Sequence, residues 1–272
     1  MNFHSDKWIM DRIREHYNEA LEYFPEDRIV GLFYAGSGNY GLDTPSSDVD
    51  TKLCILPTFQ ELAMNKQPIS TTHVRSNNEH IDFKDVRLFI QLFKKQNLAF
   101  LETLFTSYCI INPTYQTEWD RLVAANEAIA HYNPYKAVKT MKGQALAKFE
   151  AIEHDSPSHH KDIIRFEYSP KEFHHLLRIE EYLERYISGE LYCHCLKSKQ
   201  ANYLKQVKMG CHTLDEARWL AKVAIGRIDK MADQFTEAHS EETNEEIAAL
   251  LDDVQYNIMK IAIEKELGRL NE

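Results

Sequence analysis

The chain lacks the marks of several protein classes. Its 272 residues hold no apolar run long enough to span a bilayer, and Met1-Asn2-Phe3-His4-Ser5-Asp6-Lys7 opens no signal-peptide pattern. Membrane and secreted classes are therefore set aside, and a soluble cytoplasmic protein is expected. Cysteines are few and odd in number (Cys54, Cys109, Cys193, Cys195, Cys211), which argues against a disulfide framework and for reduced thiols. Cys193-His194-Cys195 with Cys211-His212 could in principle ligate zinc, but their spacing matches no common structural-zinc pattern, so packed thiols and exposed histidines are expected. Positive charge is scarce as well: 32 Lys and Arg against 42 Asp and Glu leave −10. A protein that grips a long nucleic acid carries a basic footprint, because phosphate neutralisation supplies most non-specific affinity. None is evident, and Lys136, Lys139, Lys142 and Lys148 along one predicted helix read as a solvated face. Extended duplex DNA binding is not expected on this ground; a small molecule, a defined RNA end or a protein side chain is favoured as acceptor.

What is present divides into two textures, as a chain of this length permits. Residues 1–112 mix periodicities: an amphipathic helix (Trp8-Ile9-Met10, Ile13, Tyr17, Ala20-Leu21), an apolar strand from Ile29 to Ala35, a glycine-punctuated loop, an Asp-bearing strand, and a helix from Val86. Asn112-Pro113-Thr114 marks a turn. Residues 113–272 are almost continuously helical, with breaks at Asn133-Pro134, His154-Asp155-Ser156-Pro157, Ser169-Pro170, Ser188-Gly189 and Gly210. The acidic stretch from Glu237 to Glu246 is a solvated connection between helices.

Chemistry concentrates in the first texture. Asp48 and Asp50 stand two residues apart in Ser47-Asp48-Val49-Asp50-Thr51-Lys52-Leu53, and a strand's period of two sends both carboxylates to one face, where they can share divalent cations. Gly36-Ser37 follows the apolar strand and is expected to open a helix whose free N–H groups favour a phosphate. Glu79-His80-Ile81-Asp82-Phe83 offers a third carboxylate on a short strand. Asp82 is preferred for that role over Glu79 and Asp85, since Asp85 precedes an apolar run and suits a helix N-cap. Three gathered carboxylates repel unless cations neutralise them, the arrangement of two-metal phosphoryl or nucleotidyl transfer.

These residues carry a resemblance. Ala35-Gly36-Ser37, Tyr40-Gly41-Leu42, Ser46-Ser47-Asp48-Val49-Asp50 and Ile81-Asp82-Phe83, in this order, resemble the polymerase-beta-type nucleotidyltransferase superfamily. More narrowly, Lys84-Asp85-Val86-Arg87-Leu88-Phe89, Lys94-Lys95-Gln96-Asn97-Leu98 and Leu101-Glu102-Thr103-Leu104-Phe105 are similar to its stand-alone bacterial and phage branch. The resemblance covers residues 28–110 and, more weakly, 171–216. It implies an α+β fold, a mixed sheet with flanking helices followed by an all-helical C-terminal domain. It also implies an enzyme that moves an NMP from an NTP to an acceptor hydroxyl and releases pyrophosphate. Asp48, Asp50 and Asp82 are then catalytic and metal-binding, holding two Mg²⁺ ions with Mn²⁺ as substitute.

Lys171, His175 and Arg178 recur at i, i+4 and i+7 after Pro170 and share one helix face. By composition they are an ordinary polar stripe; the match to Lys-x-x-x-His-x-x-Arg in the resembled branch implies, with Gly36 and Ser37, a nucleotide-binding role. His174 would point roughly 100° away, and Arg185 lies off the face and is expected to be dispensable. Two other readings stay open: a regulatory nucleotide-binding protein without turnover, and an antitoxin-like transferase acting on a partner protein. The sequence carries no motif for the base or the acceptor.

Overall fold

A computed structural model describes residues 3–45, 47–157 and 159–270. The sheet is built on β1 (Ile29–Ala35), whose seven residues are all buried. Beside it run β2 (Asp50–Ile55), β3 (Ser70–Val74), β4 (His80–Asp85) and β5 (Cys109–Ile111), in the order β3-β4-β2-β1-β5. Only β2 and β4 pair in parallel; the other neighbours are antiparallel. Alternation then sorts the side chains. Leu32, Tyr34, Leu53, Ile55, Ile81 and Phe83 point to one face and form a core with Ile9, Ile13 and Ala20 of α1 (Asp6–Ala20). Ser5 starts that helix by accepting the Trp8 N–H at 3.2 Å.

The opposite face is aromatic. Phe33 stacks on Trp119, with ring centroids 4.2 Å apart, and Phe89 sets its edge against Trp119 and Phe100. These rings come from α3 (Val86–Lys94), α4 (Leu98–Leu101) and α5 (Gln116–Ala124), which follow the short α2 (Phe59–Ala63) and precede α6 (Asn126–Ala130). Asp85 caps α3 by accepting the Arg87 N–H, as its place before the apolar run implies.

The helical unit holds α7 (Pro134–Ala151), α8 (His160–Phe166), α9 (Pro170–Ile187), α10 (Tyr192–Cys195), α11 (Ala201–Lys208) and α12 (Leu214–Ala238). Its starts were written locally. Asn133 accepts from Lys136 N–H and Ser169 from Glu172 N–H, each just before a proline in the first turn, and Thr213 closes a capping box with Glu216. Buried Ala217, Ala221, Ala224 and Ala232 let α12 lie close on α7 and α9. The chain ends in α13 (Glu245–Leu270).

Contacts divide the chain into two units, and not by the single cut expected between 112 and 113. One comprises Tyr40–Thr44 and Asn133–Glu242; the other holds the sheet with residues 45–132 and 243–270. Trp119 explains why α5 stays with the sheet. The last helix does so because it packs on α5, α3 and α2, with Lys94 paired to Asp252 at 2.5 Å and Arg121 to Asp253 at 2.7 Å.

His174 sits at the centre of the helical unit, buried, with Nδ1 2.9 Å from the Leu204 carbonyl oxygen. Burial, then the positive charges of Lys208, Arg178 and Lys171, push its imidazole down from 6.5 to about 3. The unfolded chain binds this proton near 6.5 and the folded chain does not, so stability is complete above 6.5 and declines as pH falls toward 3. A loss of about 3 kcal/mol is expected from this group by about pH 4. Denaturant titrations across that window check it: His174→Gln should flatten the slope, whatever it costs at neutral pH.

Candidate active site

The turn after β1 is tighter than the sequence implies. Gly36 adopts φ +132°, open to glycine and strained for other residues, and Ser37–Tyr40 form one 3₁₀ turn instead of the expected longer helix. The turn stays short because its amides are already committed. Gly38 N–H donates to the Tyr34 hydroxyl at 3.1 Å and Asn39 N–H to Gly36 O at 3.1 Å, and Gly41 at φ +71° bends the chain away. A macrodipole of the size expected at Ser37 is therefore not available, and phosphate binding there would rest on backbone N–H groups and the Ser37 hydroxyl. Ser37 Oγ donates to Ser47 Oγ at 3.2 Å, joining the turn to the segment that leads into the acidic pair. Ser46 lies outside the described residues.

Asp48 is exposed, Val49 is fully buried, and Asp50 is half-buried as the first residue of β2. The two carboxylates thus alternate with a core residue. Asp50 Oδ1 accepts His80 N–H at 2.9 Å and lies 3.0 Å from His80 Nδ1. Burial and then the Asp48 charge raise its carboxyl above the usual range, against the His80 hydrogen bonds.

Parallel register places the third carboxylate. Lys52 stands opposite Asp82, so Asp50, Lys52, His80, Asp82 and Lys84 share one face. Asp82 is held by Lys84 Nζ at 2.8 Å and Thr72 Oγ1 at 3.4 Å, with Lys52 Nζ at 4.0 Å. Lys52 also lies 4.5 Å above the Phe100 ring. Burial lowers its pKa, while the Asp82 and Asp50 carboxylates oppose that shift. Among the described residues no three His, Cys, Asp or Glu side chains gather at metal-binding spacing.

Glu79, the sequence rival to Asp82, is committed elsewhere. It is buried and accepts from Arg75, Asn77, His16 and the Val49 amide. Burial would raise its pKa, but the hydrogen bonds from His16, Arg12, Asn77 and Val49 hold it far below the usual carboxylate range.

In the helical unit, Lys171 is exposed while His175 and Arg178 are half-buried. The His175 imidazole is pushed well down, first by burial and then by His174, Lys148, Arg178 and Lys171, so the ring is held neutral. The Arg178 guanidinium stacks 3.4 Å above the Tyr40 ring, and Lys205 Nζ lies 3.9 Å from Asp43. The segment Tyr40–Thr44, between the Gly-Ser turn and the acidic pair in sequence, is thereby anchored among the helices. Arg185, off that face, is buried and donates to the carbonyls of His194 and Lys197 and to Glu190, so it ties α9 to α10.

His80, Lys52 and Tyr40 escaped the sequence. A signal for the first two was present in the alternations Asp50-x-Lys52 and His80-x-Asp82-x-Lys84, which are complementary rung for rung once the strands are known to be parallel. A mixed sheet bearing an acidic pair at the mouth of one strand, with the glycine-serine turn shortly before it, is the plan of the polymerase-beta-type nucleotidyltransferases, and the chain is of that type. The family model described as RlaP, the RNA repair pathway DNA polymerase beta family, matches residues 13–179, and the chain belongs to that family. A nucleotidyltransferase-like protein from Exiguobacterium sibiricum is similar to it at 14% identity over 96% of this chain and 79% of that one, with a TM-score of 0.29. No curated protein sequence matches the chain. No described helix is long and apolar enough to cross a membrane.

The turn makes one demand that can be measured. A Cβ on Gly38 would lie 2.6 Å from the buried Tyr34 hydroxyl that its own amide contacts. Gly38→Ala is expected to cost about 1–3 kcal/mol in denaturant titration, as overpacking does. Tyr34→Phe, which removes the crowding oxygen, should recover part of that loss in the double variant.

Proposed function

We propose that this protein is a metal-dependent nucleotidyltransferase that moves an NMP from an NTP to an acceptor hydroxyl and releases pyrophosphate. One observation carries it: Asp48 and Asp50 flank the buried Val49 at the start of β2, with Asp82 on the same face of the parallel neighbour. The site fits a hard dication, since the donors on offer are carboxylate oxygens, one of them on exposed Asp48. Asp48 and Asp50 would hold Mg²⁺, with Mn²⁺ as substitute, and Asp82 would join them for a second ion. When bound, the ions polarise the α-phosphate and lower the cost of ionising the acceptor hydroxyl.

The chain's own groups do the rest. Asp82, oriented by its contact with Lys84, takes the acceptor proton as oxygen bonds to the α-phosphorus and the bond to the β-phosphate oxygen breaks. The Gly36-Ser37 turn receives the triphosphate through N–H and hydroxyl donors. Lys171 and Arg178 would bring positive charge to the phosphates, and His175, held neutral by its surroundings, would offer a ring N–H; the stack on Tyr40 occupies the face of Arg178, and a guanidinium binds anions through its edge.

Among the three classes of acceptor, an RNA end is favoured by the matched family's name, which places its members in RNA repair. A charge of −10 suits contact with an end better than with a long duplex. Incubation with labelled ATP, Mg²⁺, an RNA bearing a free 3′-hydroxyl and the same RNA blocked at that hydroxyl tests this directly. Label is expected on the free RNA alone; label on protein would assign the acceptor to a partner chain, and nucleotide binding with no transfer would favour the regulatory reading. Asp48→Asn and Asp50→Asn should keep the fold and lose at least about 4 kcal/mol of transition-state stabilisation in kcat/KM.

A further inference from the structure

We propose that Glu79 is a positioning residue for the Asp48–Asp50 pair, a buried carboxylate that pins the backbone between the two aspartates to α1. This assignment takes nucleotidyl transfer at Asp48 and Asp50 as its premise. Glu79 Oε1 accepts the Val49 N–H at 3.2 Å, the amide of the peptide that leads from Asp48 into the common neighbour of the two acidic residues. Glu79 Oε2 is fixed by Arg75, Asn77 and His16, each at 2.9 Å, and by Arg12. His16 is fully buried and extends the tie past Asp50: its Nε2 faces Glu79 while its Nδ1 lies 2.9 Å from Thr51 Oγ1. The residue after Glu79 completes the hold, because His80 N–H donates to Asp50 Oδ1. Val49 and Thr51, on either side of Asp50, are thus both bonded to the Glu79–His16 pair.

Glu79 belongs to the face away from the reacting groups, so it touches no substrate and acts through Val49. A pair of carboxylates that binds a dication must be held to within about 0.5 Å, and the side chains alone cannot supply that, since Asp48 is exposed. The buried cluster is neutralised by two arginines, one of which, Arg75, is itself locked to Glu19 of α1 at 2.6 Å. This is a rigid second layer beneath an exposed first one.

Three variants of the full chain test the assignment: Glu79→Ala, Glu79→Gln and Thr51→Val. The measurements are hydrogen–deuterium exchange of peptides covering residues 47–52, Mn²⁺ affinity without nucleotide, and kcat and KM for NTP. Glu79→Ala is expected to speed exchange in that segment by about tenfold, as loss of one buried hydrogen bond implies, and to weaken Mn²⁺ and lower kcat by similar factors at unchanged KM. Glu79→Gln keeps an acceptor for Val49 and should recover part of each loss. Thr51→Val cuts only the His16 link and should move the same quantities less. A folded Glu79→Ala with wild-type exchange, Mn²⁺ affinity and kcat would overturn the assignment. Should Glu79→Ala fail to fold, Thr51→Val with wild-type values in all three measurements overturns it equally. Exchange needs no turnover: if the wild-type chain transfers no nucleotide but the 47–52 segment loosens as expected, the anchor stands and the transfer reading falls alone.

Discussion

Parallel pairing of β2 with β4 is the constraint on which the site depends. It sets His80 beside Asp50 and Asp82 opposite Lys52, and it does so with backbone hydrogen bonds that no side-chain substitution removes. A slip of one residue would send Asp82 to the α1 core and bring Phe83 or Ile81 out, so the apolar alternation of Ile81 and Phe83 enforces the register that the chemistry needs. Fold and function are held by the same alternation, apolar residues on one side of the strand and ionisable residues on the other.

Charge on the two faces is handled in opposite ways. Towards α1, Glu79 is saturated by arginine, histidine and amide donors and lies far below the ordinary carboxylate range. On the other face Asp48 is exposed and Asp50 is raised by burial and by its neighbour, while Asp82 leans on lysines. Glu79 is thus compensated within the protein, whereas Asp48 is left accessible to solvent. Lys52 occupies intermediate ground, a half-buried ammonium near both Asp50 and Asp82 that supplies positive charge within the chain itself.

Much of this was legible where the signal was local. The Asp85 cap of α3 and the helix starts at Asn133-Pro134 and Ser169-Pro170 depend on residues within a turn of each other, and each has the predicted role in the backbone, whereas of the acidic pair only Asp50 lies within β2. Non-local pairing was not legible. Lys52 against Asp82 needs the strand register, and the fate of Glu79 needs His16, a polar residue at a core position of α1 that apolar periodicity passes over. The division into units failed at 112 for the same reason: Trp119 has the spacing of any amphipathic helix, and only its stack on Phe33 reveals that α5 belongs to the sheet. The structural role of Arg185 was equally hidden, because carbonyl acceptors on a neighbouring element leave no trace in composition.

The helical unit carries Lys171, His175 and Arg178 along α9 and holds Tyr40–Thr44 among its own helices, with Arg178 stacked on Tyr40. The central claim is that Asp48 and Asp50 form a dication site on β2. A crystal structure with Mn²⁺ and a non-hydrolysable NTP tests it most directly. An anomalous peak at about 2.1 Å from carboxylate oxygens of both Asp48 and Asp50 is predicted; Mn²⁺ bound to neither, with nucleotide present, would contradict it.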